Sequence, residues 1–166
     1  MELEIRRATP EQAALASAIL TEAAAWLIGR GEKLWEPEWL TPEKLRPVAE
    51  RGELYLAWLE GEPVGTITLQ WEDEPFWPDV PAGESAFFHK LAVRRGVAGR
   101  GVSRALVGWA LEQARAAGKR YLRMDCAAER PKLRAFYESL GFEYHSDWWL
   151  GSFHAARYQL ELSGGP

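Results

Sequence analysis

Hydrophobic and polar residues alternate from the first positions: Leu3, Ile5 and Arg7 interleave with Glu4 and Arg6, which predicts a short opening strand. Thr9-Pro10-Glu11-Gln12 then reads as a helix start, with Thr9 as N-cap, Pro10 at the first helical position and Gln12 closing a capping box. The Ala-, Leu- and Ile-rich run to Ile28 continues that helix, and Gly29 and Gly31 are suited to end it. Thr41-Pro42 repeats the start signal for a shorter helix reaching about Glu50. Lys33 to Trp39, between the two, is too rich in Pro and Trp for a regular element.

A hairpin follows, with strands Leu54–Leu59 and Val64–Trp71 joined by the turn Glu60-Gly61-Glu62-Pro63. Glu72 to Glu84 is acidic and carries Pro75, Pro78 and Pro81, so it is expected to be an exposed loop. Ser85 to Val93 is an apolar strand interrupted by His89 and Lys90. Beyond a Gly-rich turn, Val102 to Ala117 has helical character and stops at Gly118, and Tyr121 to Cys126 is a further strand. Leu133 to Leu140 forms a helix closed by Gly141, and two strands near Phe142–Trp149 and Ala155–Leu162 complete the chain before a frayed tail, Ser163–Pro166. The order β-α-α-β-β-β-α-β-α-β-β predicts a single α/β domain over residues 1–166, built on one mixed sheet.

Composition narrows the function classes. The 166 residues carry 20 basic and 24 acidic side chains, net charge −4, which argues against a chain-wide grip on nucleic acid. One cysteine, Cys126, excludes a disulfide framework and a Cys-rich zinc site. The histidines His89, His145 and His154 have no short ligand spacing, so no metal site is expected. The first seven residues lack a signal core and no later apolar run is expected to cross a bilayer, which predicts a soluble cytoplasmic protein without a membrane partner. Nine tryptophans imply either an aromatic core or a cleft lined by stacking faces.

The most informative segment runs from Leu91-Ala92-Val93 through Arg94-Arg95-Gly96-Val97-Ala98-Gly99-Arg100-Gly101 into Val102-Ser103. A strand enters a glycine-rich turn and then a helix whose first amides lack internal partners, an arrangement suited to pyrophosphate. Gly99 and Gly101 remove side chains where a ligand must come close, and Arg94, Arg95 and Arg100 add cations. Gly96 to Ser103 falls short of a Walker A loop, because Val102 stands where the phosphate-binding Lys belongs. A dinucleotide fingerprint fails too, with Arg104 in place of its third glycine.

What remains resembles the GNAT superfamily of acyl-CoA-dependent N-acyltransferases. Its fingerprint, R/Q-x-x-G-x-G/A, falls on Ala98-Gly99-Arg100-Gly101-Val102-Ser103. Its C-terminal signature, Leu-x-x-Phe-Tyr-x-x-x-Gly-Phe, falls on Leu133 to Phe142. Pro63-Val64-Gly65 fits the N-terminal half. Ala98 and Ser103 depart from the fingerprint at its two ends, and Arg130 stands where many relatives carry an Asn that contacts the coenzyme.

The resemblance implies a GNAT-like mixed, mostly antiparallel twisted sheet flanked by helices and splayed between strands 85–93 and 121–126. It implies acetyl-CoA as acyl donor and a primary amine, small molecule or peptide, as acceptor, with direct attack through a tetrahedral intermediate. Leu91, Ala92, Val93, Ala98, Gly99, Arg100, Gly101, Val102, Ser103 and Arg130 become the expected coenzyme-binding residues. Tyr137 becomes the acid that protonates the departing thiolate. His89 is the base expected from strand alternation, on one face with Leu91 and Val93, and an imidazole of ordinary pKa, about 6.5, can take a proton at neutral pH. Glu84 and Asp125 are alternatives to it, and Cys126 is a poor nucleophile candidate with no histidine near it in sequence.

The acceptor cleft is expected from Trp35, Trp39, Trp71, Trp77 and Glu84, together with Phe76 and the acidic residues Glu36, Glu38, Glu72, Asp73, Glu74 and Asp79, a mixture suited to a cationic amine. A solvated acidic loop explains the same charges. The sequence leaves open the acceptor's identity, homodimerisation, and a catalytically silent coenzyme-binding sensor.

Overall fold

The computed structural model describes residues 2–32 and 35–162. Met1, Lys33, Leu34 and the segment Ser163–Pro166, expected to be a frayed tail, lie outside the described residues. Seven strands follow the order β1-β2-β3-β4-β5-β7-β6 in an open mixed sheet flanked by helices. The strands are β1 (Leu3–Arg7), β2 (Leu54–Leu59), β3 (Glu62–Gln70), β4 (Ser85–Val93), β5 (Tyr121–Ala127), β6 (Glu143–Leu150) and β7 (Phe153–Glu161). The helices are α1 (Ala13–Gly29), α2 (Pro42–Glu50), α3 (Val102–Ala116) and α4 (Pro131–Ser139). The chain divides into two compact units, Met1–Leu69 with Lys90–Trp109, and Gln70–His89 with Ala110–Pro166.

In the first unit β1 pairs antiparallel with β2, and β2 with β3. Glu60 (φ 52°) and Gly61 (φ 80°) both take positive φ at the β2–β3 turn, the backbone that two-residue hairpins require. The capping box at Thr9 is present, with Thr9 Oγ1 accepting from the Gln12 amide (3.3 Å) and Gln12 Oε1 from the Thr9 amide (3.0 Å). It caps a single 3₁₀ turn, Pro10–Gln12, that feeds α1. Pro10–Gly29 is helical over 20 residues with mean hydropathy 1.3, which by length and composition alone meets the requirement for crossing a membrane. That corrects the expectation that no apolar run is long enough. Its apolar residues Ala13, Ala16, Ile19, Leu20, Ala24 and Leu27 are buried in the protein core. All of these but Leu27 join Leu40, Leu45, Leu54 and Leu56 in one hydrophobic cluster.

In the second unit β5 pairs antiparallel with β7, and β7 with β6. Tyr158 of β7 is fully buried, and its hydroxyl accepts from Arg134 Nε (2.9 Å) and donates to Glu138 (2.6 Å), which ties β7 to α4. Helix α4 starts at Pro131, two residues before its predicted start, with proline in the first turn where its missing amide costs nothing.

Strand β4 is parallel to β5, in register from Ser85 on Tyr121 to Phe87 on Arg123. Three residues further Lys90 takes φ 51°, a left-handed conformation that breaks strand alternation. The placing of His89 on one face with Leu91 and Val93 therefore needs correcting, because it assumed an unbroken period of two.

The loop from Glu72 to Glu84 also departs from its expected exposure. Asp73 and Trp77 are buried, at 7% and 2% exposed. Arg157, itself buried, donates to Asp79 through Nη1 (2.8 Å) and Nη2 (3.1 Å) and to the Phe76 carbonyl (2.9 Å). Trp148 Nε1 donates to the Pro75 carbonyl (2.9 Å). Acidic composition alone does not reveal that buried cations on neighbouring strands take up the charge.

Candidate active site

The turn between β4 and α3 belongs to the first unit. Residues 95–97 form a single 3₁₀ turn, in which the Val97 and Ala98 amides bond back to the carbonyls of Arg94 and Arg95, and the Arg100 amide to that of Val97. The Arg100 amide is thus engaged within the turn. Gly99 (φ 80°) and Gly101 (φ 85°) need the left-handed backbone, and a Cβ built on either meets no atom within 4 Å. That open space is what a ligand approaching the main chain requires. The Ala105 amide donates to the Gly101 carbonyl (3.0 Å), so the amides from Gly101 to Arg104 precede the first intrahelical donor. With the positive end of the helix dipole they make a terminus suited to an anion, and the glycine conformation and open approach fit a pyrophosphate.

Two supports hold this turn. Gly65 of β3 has no side chain because one would meet Leu106 Cδ1 at 3.0 Å, the Ala92 carbonyl at 3.3 Å and Val102 Cγ1 at 3.4 Å, so glycine here seats the first turns of α3 on the strand. From α1, Glu22 accepts from the Arg95 amide (3.3 Å) and pairs with Arg94 Nη1 (3.8 Å). One turn on, the Trp26 ring lies beneath the Arg95 guanidinium, 3.6 Å from its centroid, with Arg30 at 4.8 Å. Sequence reasoning missed both Glu22 and Trp26; they are an i, i+4 pair on one helix face, which periodicity reveals only once the partner is known.

The second unit places His89 between two carboxylates. Asp73 Oδ2 lies 2.8 Å from His89 Nε2, and Asp125 Oδ1 lies 3.7 Å from Nδ1. All three side chains are largely shielded, at 4% (Asp73), 8% (Asp125) and 18% (His89) exposed. Asp73 Oδ1 accepts from the Phe76 amide (3.2 Å), and the Phe76 ring stands 6.0 Å from the His89 ring and 6.1 Å from Phe153. One ring nitrogen and one oxygen from each carboxylate fall within 4.8 Å of one another, a donor set that could hold a cation. Asp125 was an alternative base from sequence. Asp73 was read only as part of an acidic loop, 16 positions from His89, and no local signal joins the two.

Tyr137 lies in the same unit, among Phe88, Phe136 and Phe142 at ring separations of 5.2 to 6.1 Å. Burial raises its pKa well above the ordinary phenol value, and the neighbouring Cys126 and Asp125 add to the effect, so the hydroxyl keeps its proton. Cys126 is buried likewise and pushed up to about 12, chiefly by desolvation and then by Asp125, which leaves it a thiol and no nucleophile.

The remaining expected residues are scattered. Trp77 is core, against Phe87 and His145, with Arg157 over its ring at 4.4 Å, so it presents no open face. Glu84 pairs with Arg123 (3.0 Å) and Trp71 stacks under Lys119 (5.4 Å), both around the start of β5. In the first unit Trp39 is 52% exposed, while Trp35 packs against the core. Arg130 is the N-cap residue of α4, with its amide on the Ala127 carbonyl (3.2 Å).

Comparison with known proteins bears on this arrangement. Residues 18–142 match the model of the acetyltransferase (GNAT) family. The uncharacterised N-acetyltransferase YesJ of Bacillus subtilis (strain 168) is 28% identical over 142 residues, 81% of this chain and 78% of that protein. A GNAT-family acetyltransferase structure from Listeria monocytogenes superposes with a TM-score of 0.83 at 21% identity, covering 97% of this chain and 95% of the other. YncA of Salmonella typhimurium, a structure solved with acetyl-CoA, gives 0.73 at 16% identity over 100% and 97% of the two chains. With the family model spanning most of its length, and a glycine turn, helix terminus and Phe-Tyr helix in the expected places, this chain belongs to the GNAT family of acetyltransferases.

Proposed function

We propose that this enzyme moves an acetyl group from acetyl-CoA directly to the primary amine of a small cationic acceptor, with His89 as base and Tyr137 as acid. The observation that carries the reading is His89 set between Asp73 and Asp125 beside Phe76. The two carboxylates attract an ammonium group and offset the positive charge the ring gains when it accepts a proton. Phe76 and Phe153 supply an apolar wall suited to the carbon skeleton behind the amine.

In acetylation the ammonium sheds two protons. The first passes to His89 and frees the nitrogen lone pair for attack on the thioester carbonyl. The second leaves with the thiolate, by way of the Tyr137 hydroxyl, whose burial holds its proton until sulfur takes it. The coenzyme's pyrophosphate is assigned to the amides of Gly101 to Ser103 beside Gly99, and its pantetheine arm to the main chain at Leu91–Val93. Arg100 and Arg130 are assigned to its charged groups.

Release of free CoA, measured across a panel of small primary amines and their tertiary counterparts, tests the reading. Turnover is expected with cationic primary amines only. His89→Gln should lower kcat by roughly 10²–10⁴-fold, with acetyl-CoA affinity unchanged. Wild-type turnover in the Gln variant removes the base role.

A further inference from the structure

We propose that Asp73, His89 and Asp125 also form a binding site for a divalent transition-metal ion of the zinc class. An ion held there occupies His89 and stops the enzyme. The buried Asp73 oxygen points to a ligand. Its side chain is 4% exposed and its Oδ2 makes no hydrogen bond, although His89 Nε2 is only 2.8 Å away. At that separation the oxygen must lie well off the ring N–H axis, which is a poor place for an acceptor and a normal place for a second ligand. Two ligands each about 2.1 Å from one ion stand roughly 3 Å apart.

A carboxylate oxygen buried without a donor is costly, and a cation would satisfy it. Asp125 Oδ1 lies 3.7 Å from Nδ1, and the three ligand atoms fall within 4.8 Å of one another, so a small rotation of the Asp125 side chain would bring it onto an ion held between Nε2 and Asp73. Imidazole with two carboxylates and no sulfur suits zinc, cobalt, nickel or manganese better than copper(I), calcium or magnesium. Three protein ligands leave at least one position open to water. The ligands are 16 and 36 positions from His89 along the chain, so no ligand spacing announces the site in the sequence.

Binding needs the imidazole unprotonated, so an ion and a proton compete for the same ring nitrogen. An amine whose proton must reach that nitrogen is then left as an unreactive ammonium. The binding claim stands apart from the reaction; only the inhibition rests on the proposed base role of His89.

The test is a cobalt(II) titration of the full chain, stripped with chelator and free of acetyl-CoA, followed by visible absorption and calorimetry, with zinc as competitor. One ion per chain is expected, with a dissociation constant of about 10 μM or tighter. Asp73→Asn and His89→Gln should each weaken it by about 10²-fold or more, while acetyl-CoA affinity, unchanged in both, certifies folding. Asp125→Asn provides a third variant should either fail to fold. No saturable binding to the wild type, or binding that all the folded variants retain, overturns the site. Cobalt that binds as described without slowing turnover overturns the inhibition and the base role together, leaving the site. Turnover that depends on His89 in a protein that takes no ion leaves the proposed reaction and removes the metal.

Discussion

At the turn between β4 and α3 the groups aimed outward are main-chain amides, and Gly99, Arg100 and Gly101 around them are exposed. Around His89 the arrangement is inverted: the groups proposed to act are side chains, drawn from three separate stretches of the chain and largely shielded from water. Backbone donors survive most substitutions, because any residue able to adopt the local φ and ψ supplies the same N–H. Side-chain donors and acceptors do not. On the proposed reading, Ala98 and Ser103 can therefore stand at the ends of a coenzyme fingerprint at little cost, whereas a change at Asp73, His89 or Asp125 is expected to alter the chemistry itself.

The comparison is tested most severely at Tyr137. Phe in its place keeps the packing against Phe88, Phe136 and Phe142 and removes only the hydroxyl. Turnover should fall by roughly 10²-fold or more, with acetyl-CoA affinity unchanged and thermal stability within about 1 kcal/mol of wild type. Steady-state kinetics beside a melting curve decide it. An unchanged kcat would mean that water or another group protonates the thiolate.

The backbone half is broken through conformation. Gly101 sits at φ 85° with open space where a Cβ would go, so Gly101→Ala meets no clash and costs only the left-handed strain. That strain, about 1–2 kcal/mol, should weaken acetyl-CoA binding by roughly tenfold. Ser103→Ala, which leaves every amide in place, should change it by less than about threefold. Calorimetric titration of both variants separates the cases, and a larger loss in Ser103→Ala than in Gly101→Ala would move the grip from backbone to side chain.

A smaller effect is expected at Trp26, whose ring centroid lies 3.6 Å from the Arg95 guanidinium in the turn. A cation–π contact at a half-exposed ring contributes about 0.5–1 kcal/mol, so Trp26→Ala should raise the KM for acetyl-CoA about two- to fivefold and leave kcat alone. Trp26→Phe should recover most of the loss. A fall in kcat instead would show that Trp26 has a role beyond holding the turn.

These two regions also differ in how far the sequence discloses them. The turn is local: strand, glycines and helix start are contiguous, so its place and its anion-binding character follow from fewer than fifteen residues. The element order follows for the same reason, since caps at Thr9 and Thr41 and stops at Gly118 and Gly141 punctuate each segment. What local pattern misses is long-range. Asp73 reaches His89 because the loop after β3 folds back and is pinned by Arg157 and Trp148, neither of which is near it in sequence. Lys90 breaks the alternation with a single left-handed residue, and no glycine or asparagine marks it. Nine tryptophans read as a cleft or a core, and only burial decides; Trp77 went to the core.

The least effect should come from the pin itself. Asp79 is half-exposed at the surface end of its pair with the buried Arg157, whose hydrogen bond holds the Asp79 carboxyl below its ordinary pKa. A carboxyl whose pKa is lower folded than unfolded stabilises the fold above the unfolded value, and that contribution is lost as pH falls through the folded one. Arg157 also donates to the Phe76 carbonyl and to Ser146, so it keeps partners when Asp79 is neutralised. Asp79→Asn should therefore cost only about 0.5–1 kcal/mol near neutral pH, after solvent screening of an exposed partner, a fall of about 1–4 °C in Tm. The gap between wild type and variant should hold from neutrality down to about pH 5 and close below about pH 3, where both carry an uncharged group at residue 79. Melting curves at pH 7, 5 and 3 read the difference directly. A gap that persists undiminished at pH 3 would mean that the loop is held by shape and main-chain hydrogen bonds, and that the charge at Asp79 contributes nothing to the position of Asp73 beside His89.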